Sequence, residues 1–266
     1  MGLFYNYNKE GPGVSKNGPE KRTFVKFFEA FFRNAWKMIP VCLIYCILFI
    51  IPGLSALGMT TVTRSISRNK HSFGLSDFFT AIKRNWKQGI GIGILNIIIT
   101  SFLVLDLDFF ISNPAVAGKY IGVIGLGISV FLVIMFTVMK FYIWFMVITF
   151  NMKTSQIYLN SFKFFIINLK NNVIMLLCIG SYWAIIYGVF ILGLVTPLVA
   201  GILAVITIFF YPLYHYLVIQ FGVFGAIRKY IIDPYYEENP DADIELRRSL
   251  GLDTGEEEEA TFEDLI

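Results

Sequence analysis

Four apolar stretches constrain this chain more than anything else in it, at about residues 89–110, 120–150, 173–192 and 197–221. Each is close to or longer than the ~20 residues that an α-helix needs to cross a bilayer. In hydrocarbon every backbone N–H and C=O needs a partner within the protein, so runs of this kind fold as membrane helices. Composition agrees: 56% of residues are hydrophobic, 17% aromatic and only 15% charged, and mean hydropathy is +0.65. A soluble domain carries nearer a quarter charged residues. The expected fold class is all-α, a polytopic membrane helix bundle with about five apolar segments, the fifth lying at residues 38–62.

Three related basic-aromatic cassettes organise the chain around these segments. Residues 75–88 (LSDFFTAIKRNWKQ) read as an amphipathic helix running straight into the span that begins at Gly89, and similar sequences occupy residues 27–38 and 158–171. Phe28, Phe32, Arg33, Trp36 and Lys37 match Phe78, Ile82, Lys83, Trp86 and Lys87; Arg84 and Asn85 lie inside the second copy, and the third keeps Phe165, Asn168, Leu169 and Lys170. A helix with Phe on one face and Lys/Arg on the other belongs in the headgroup region. The repeats run at about residues 23–63, 75–150 and 155–230, inside a membrane domain of residues 23–232.

Charge orients the bundle. Residues 1–232 hold 20 Lys/Arg and 6 Asp/Glu, whereas residues 233–266 hold 2 Arg and 13 Asp/Glu. A basic body whose charges sit in loops points to the cytoplasmic leaflet rather than to nucleic acid. Residues 1–22 read as a flexible basic cytoplasmic terminus, neither a signal peptide nor a myristoylation site. Residues 233–266 read as an acidic, mostly disordered tail, because Glu256–Glu259 repel one another. The tail is either an interaction segment folding back on the basic face or a solvated terminus.

The region at residues 38–62 sets a problem. Seven Lys/Arg precede it and six follow it before the next apolar run, so the positive-inside rule places both flanks in the cytoplasm. A single span forbids that, whereas a re-entrant pair of half-helices turning at Pro52-Gly53 allows it; both forms stay open, with the re-entrant one preferred. Further along, Ser76 is the expected N-cap of the central cassette, with Asp77 in its first turn, and Thr154 or Ser155 that of the third. Gly89/Gly93 and Gly118/Gly122 have the GxxxG spacing of close helix packing.

No Gly-x-Ser-x-Gly, His-Glu-x-x-His, phosphate-binding glycine loop or Cys-x-x-Cys occurs, so the chain is read as a non-enzyme without a cofactor or metal. Cys42, Cys46 and Cys178 lie in apolar segments and behave as small hydrophobes. The candidate functional polar groups are those in or near the membrane: His215, Asp106, Asp108, Lys140, Asn96 and Gln220. For each there is a plainer role. His215 can hydrogen-bond neutrally between helices, with Pro212 freeing a nearby carbonyl. Asp106 and Asp108 can be solvated at a span end, Lys140 can snorkel to the inner interface beside Tyr142 and Trp144, and Asn96 and Gln220 can join helix to helix.

The run from Phe27 through Pro52-Gly53, the stretch Phe78-Phe79…Lys83-Arg84-Asn85-Trp86-Lys87-Gln88, Gly11–Val14 (GPGV) and the closing Arg228–Tyr236 resemble the YesL-type family of bacterial membrane proteins of unknown function, in a version from anaerobic Gram-positive bacteria. The resemblance covers most of residues 1–237; the acidic tail departs from it. It implies a link to carbohydrate ABC transporters, whose components often accompany family members, and it supplies no catalytic residues. The expectation is therefore a multi-pass protein of the bacterial cytoplasmic (inner) membrane, with both termini cytoplasmic. It would act as an accessory or regulatory component of a carbohydrate transport system, its partners being the lipid bilayer and ABC-transporter subunits or another membrane protein; a homo-oligomer is compatible with this. The alternative is a small permease or channel with a polar path near His215, Asn96 and Gln220. Single cysteines placed near Lys16 and near Asn69, in a background lacking the native thiols, are both expected to be shielded from an impermeant external reagent. Labelling of one but not the other would show a single span between them.

Overall fold

The computed structural model describes residues 22–113, 115–193 and 195–238, and these are all-helical, with no strand among them. The elements in order are α1 (Thr23–Asn34), α2 (Ile39–Leu48), α3 (Leu54–Ser67), α4 (Leu75–Ser112), α5 (Tyr120–Thr149), α6 (Thr154–Ile167), α7 (Leu169–Ile191), α8 (Pro197–Phe209) and α9 (Tyr211–Ile227). A π-helical turn over Arg228–Ile232 leads into α10 (Asp233–Glu238). By length and composition α4, α5 and α7 can each cross a membrane, and the number rises to five if the bent pairs α1–α2 and α8–α9 each form one span. The expected N-terminal segment and most of the acidic tail lie outside the described residues. Asp233–Glu238, expected in the tail, instead continue the helical body, and Tyr236 is buried there.

The first apolar region is a helical hairpin. α1 and α2 meet at 89°. The chain runs down α2, turns over residues 49–53 and returns along α3. Gly53 takes the turn at φ 81°, a left-handed value that glycine adopts without a Cβ clash. Arg33, in the last turn of α1, donates to the Asn69 side chain at 2.7 Å, so the two ends of the hairpin lie side by side.

Gly89 and Gly93 on α4 seat this hairpin. A Cβ at Gly93 would stand 2.5 Å from the Pro52 carbonyl carbon, and one at Gly89 would collide with Leu57. The GxxxG face is thus filled from within the chain. Gly118 and Gly122 do otherwise than expected: Gly118 is a turn residue at φ 74° with open space where its Cβ would be, and Gly122 packs under the backbone of Val116. They shape the α4–α5 turn and make no helix–helix face.

α4 is one unbroken helix of 38 residues, about 57 Å long at 1.5 Å per residue, so the central cassette is continuous with its span. Its N-cap is Gly74, two residues before the expected Ser76; Asp77 instead accepts from the Ser72 hydroxyl and the Phe73 N–H, each at 2.9 Å. The third cassette helix is flanked by Lys153, whose N–H bonds to the Gln156 side chain, rather than capped by Thr154 or Ser155. The last apolar run bends by 47° at Phe210, next to Pro212. Proline in a helix excludes the carbonyl four residues back, here that of Ile208, and the Cys46 thiol lies 3.8 Å from it.

The C-terminal half of α5 is the hub. Phe136, Val138, Phe141, Tyr142, Phe145 and Met146 are all buried, between α3, α4, α6 and α9. α6 folds back on α5, with the Phe164 ring stacked on Tyr142 at 5.2 Å. α1 lies on α9 through Phe27, whose ring is 5.9 Å from Tyr214 and 5.8 Å from Phe221. The cassettes therefore bury part of their aromatic face on protein while keeping the rest outward. Introducing a methyl at the seat tests the hairpin packing: Gly93→Ala should destabilise by about 1–3 kcal/mol, as overpacked cores do. Gly91→Ala, with nothing within 4 Å of its Cβ, should not lower the melting temperature in detergent.

Candidate functional site

Two regions gather polar groups. The first is a cavity of about 610 Å³ above the hairpin turn, between α2, α3, α4, α5 and α9. Asn96, Lys140, Tyr45, Ser55, Thr100 and Tyr216 lie in its wall, among apolar side chains. Asn96 accepts from the Tyr158 hydroxyl at 2.7 Å, while its own Nδ2 is buried with no partner among the described residues. Lys140 does not run toward Tyr142 as expected for snorkelling; its ammonium turns back over the Phe136 ring at 5.5 Å and borders the cavity with Trp144.

The other expected polar residues are dispersed. His215 lies beside this cavity without lining it, 3.3 Å from the Tyr211 hydroxyl through Nδ1 and against Phe141. Gln220 is buried deeper and donates to the Thr60 carbonyl at 3.2 Å. Asp106 accepts from Ser129 across the α4–α5 pair, and Asp108 from Ser112 one turn on. The structure brings Asn96 and Lys140 together and leaves His215, Gln220, Asp106 and Asp108 outside their cavity. Among the described residues no group of three His, Cys, Asp or Glu side chains could hold a metal ion.

The second region is cationic and lies at the end of the molecule where α3, α5 and α9 finish. Arg64 donates to the Thr149 hydroxyl at 3.0 Å, and the Arg68 guanidinium lies 3.9 Å over the Phe224 ring and 5.8 Å from Phe145. All three Arg68 side-chain nitrogens are buried without an acceptor among the described residues. Burial, reinforced by Arg84, pushes Arg64 down to about 10, and burial with Arg64 beside it pushes Arg68 down to about 9. Both stay cationic at neutral pH. In the sequence Arg64 and Arg68 stand in a polar stretch after the first apolar region, and nothing there distinguishes a buried arginine from an exposed one.

Beside them opens a cleft of about 580 Å³ between the α1–α2 junction and the α3–α4 loop, with Arg33, Lys37, Lys70 and His71 in its wall. The remaining cassette cations, Lys83, Arg84, Lys87 and Lys170, are exposed, as are the rings of Trp36 and Trp86; Lys87 sits 5.6 Å over Trp86.

Residues 30–107, from α1 into the last turns of α4, match the family model described as "Protein of unknown function, DUF624". The match takes in the hairpin, its glycine seat and the second cassette, and it covers less than a third of the chain. No curated protein and no solved structure matches. Fold and composition together define a multi-pass helical membrane protein.

A polar pair inside the bundle gives the site's own test. In a double-mutant cycle of Tyr158→Phe and Asn96→Leu, the coupling in thermal or denaturant unfolding should be about 0.6 kcal/mol and not above about 1.7, the range of hydrogen bonds between membrane helices. No coupling would mean that the pair is not formed in the membrane.

Proposed function

We propose that this protein is an accessory or regulatory component of the bacterial cytoplasmic membrane that works by contact, associated with a carbohydrate transporter of the ABC type, and not an enzyme. The observation that carries this reading is the exposure of Lys83, Arg84, Trp86 and Lys87 on α4, immediately before its span. A cationic-aromatic strip on a rigid helix suits an interface, where Trp and Arg anchors dominate binding. The resemblance to the YesL-type family supports a sugar transporter as the partner. The basic end faces the cytoplasm under the positive-inside rule, both termini lie there, and the α2–α3 hairpin is re-entrant, its ends both on the basic side.

A second reading, a small permease, is favoured by the shared cavity of Asn96 and Lys140 with its hydroxyl-bearing wall. Purification from the native host in mild detergent separates the two. The accessory reading expects stoichiometric transporter subunits, lost by at least about tenfold in Lys83→Gln/Trp86→Ala/Lys87→Gln, since interface anchors each contribute upward of ~1 kcal/mol. Recovery of the protein alone, together with liposome flux that Lys140→Met abolishes, would establish the permease.

A further inference from the structure

The cleft between the α1–α2 junction and the α3–α4 loop has the features of a ligand site. Its volume, about 580 Å³, is within the ~300–1,000 Å³ of small-molecule pockets. Its lining is cationic in part: Arg33, Lys37 and Lys70 lie in the wall with His71, and no described carboxylate does. Met38, Val41 and Phe73 add apolar surface to the same lining. Arg33 is not free to swing away, because it is held to Asn69, and Asn69 keeps the left-handed backbone (φ 55°) that places its amide there. Lys37 has no hydrogen-bond or ion-pair partner among the described residues.

The excess of positive charge extends behind the cleft. Lys70 feels Arg68 and Arg64, both of which oppose its own charge. The three side-chain nitrogens of Arg68 are buried with no acceptor among the described residues. Stacking on Phe224 offsets only part of the cost of burying an ion. Negative charge brought to this end of the molecule relieves that imbalance.

We propose that this cleft binds an anionic phosphate group, with Arg33 and Lys37 on the phosphate oxygens and Lys70 and His71 at the edge. Guanidinium meets a phosphate through two parallel N–H bonds, and ammonium adds a point charge. Joined polar and apolar walls suit a phospholipid headgroup whose first acyl carbons pass Met38 and Val41 toward α2; a free phosphate would use the cationic wall alone. The inference is independent of the transporter reading.

The test uses the full chain purified in detergent and native mass spectrometry, with phosphatidylglycerol and phosphatidylcholine as probes. The parent should retain phosphatidylglycerol and not phosphatidylcholine. Arg33→Gln/Lys37→Gln should lose at least about fivefold of that retention, following the worth of a basic residue at an anionic surface. The control pair Lys153→Gln/Lys163→Gln removes the same charge from exposed positions outside the cleft and should stay within about twofold, because separated surface charges are largely screened. A second variant, Lys37→Glu, carries the same expectation as the cleft pair. Displacement of the lipid by inorganic phosphate at constant ionic strength would make free phosphate the occupant; persistence of the lipid would make it the headgroup. Equal binding of both lipids, or equal loss from cleft and control pairs, would overturn the site.

Discussion

The seating of Pro52 and Gly53 on Gly93 is the contact that the rest of the architecture depends on. Without a side chain at Gly93 the hairpin turn comes to backbone distance of α4, and Leu57 fills the space left by Gly89. Once the turn is anchored, the direction of α3 is set, and its C-terminal end falls against the ends of α5 and α9. Arg64 then meets Thr149, and Arg68 lies on Phe224. The same placement puts Asn69 next to Arg33 and opens the cationic cleft. A methyl group at one position would therefore be felt at the opposite end of the hairpin.

Around the hub in α5 the helices are registered by buried polar pairs. Tyr142 donates to Asn172 at 2.6 Å and accepts from Asn168 at 2.8 Å, and Asn168 also reaches the Gly222 carbonyl. These tie α5 to the α6–α7 junction and to α9. In hydrocarbon such bonds contribute modestly to stability, because the separated helices find other partners. Their directionality still selects one rotation of each helix, which apolar packing alone does not.

Legibility in the sequence followed the physics of each signal. Long apolar runs report burial in lipid directly, and α4, α5 and α7 were readable from length and hydropathy. Pro52-Gly53 marked the break between α2 and α3 in the sequence, and Gly53 takes the left-handed turn there. What could not be read were effects set by tertiary neighbours. GxxxG at 89–93 and at 118–122 look alike in sequence, yet one seats a hairpin and the other lines its own turn. Lys140 had an apolar neighbour in every direction, and only the bundle decides which one it meets. The arginines at 64 and 68 sit in polar sequence, and their burial follows from where α9 ends.

α4 passes without interruption from its cationic strip to the turn at the far end of the bundle. A rigid helix of this length is a lever: tilting it by about 10° about its middle would move each end by roughly 5 Å, given its rise per residue. Gly89 and Gly93 lie near its middle and bear on the hairpin, so they act as the fulcrum. A push on Lys83 or Trp86 at one arm would thereby move the Asp106–Ser129 pair on the other.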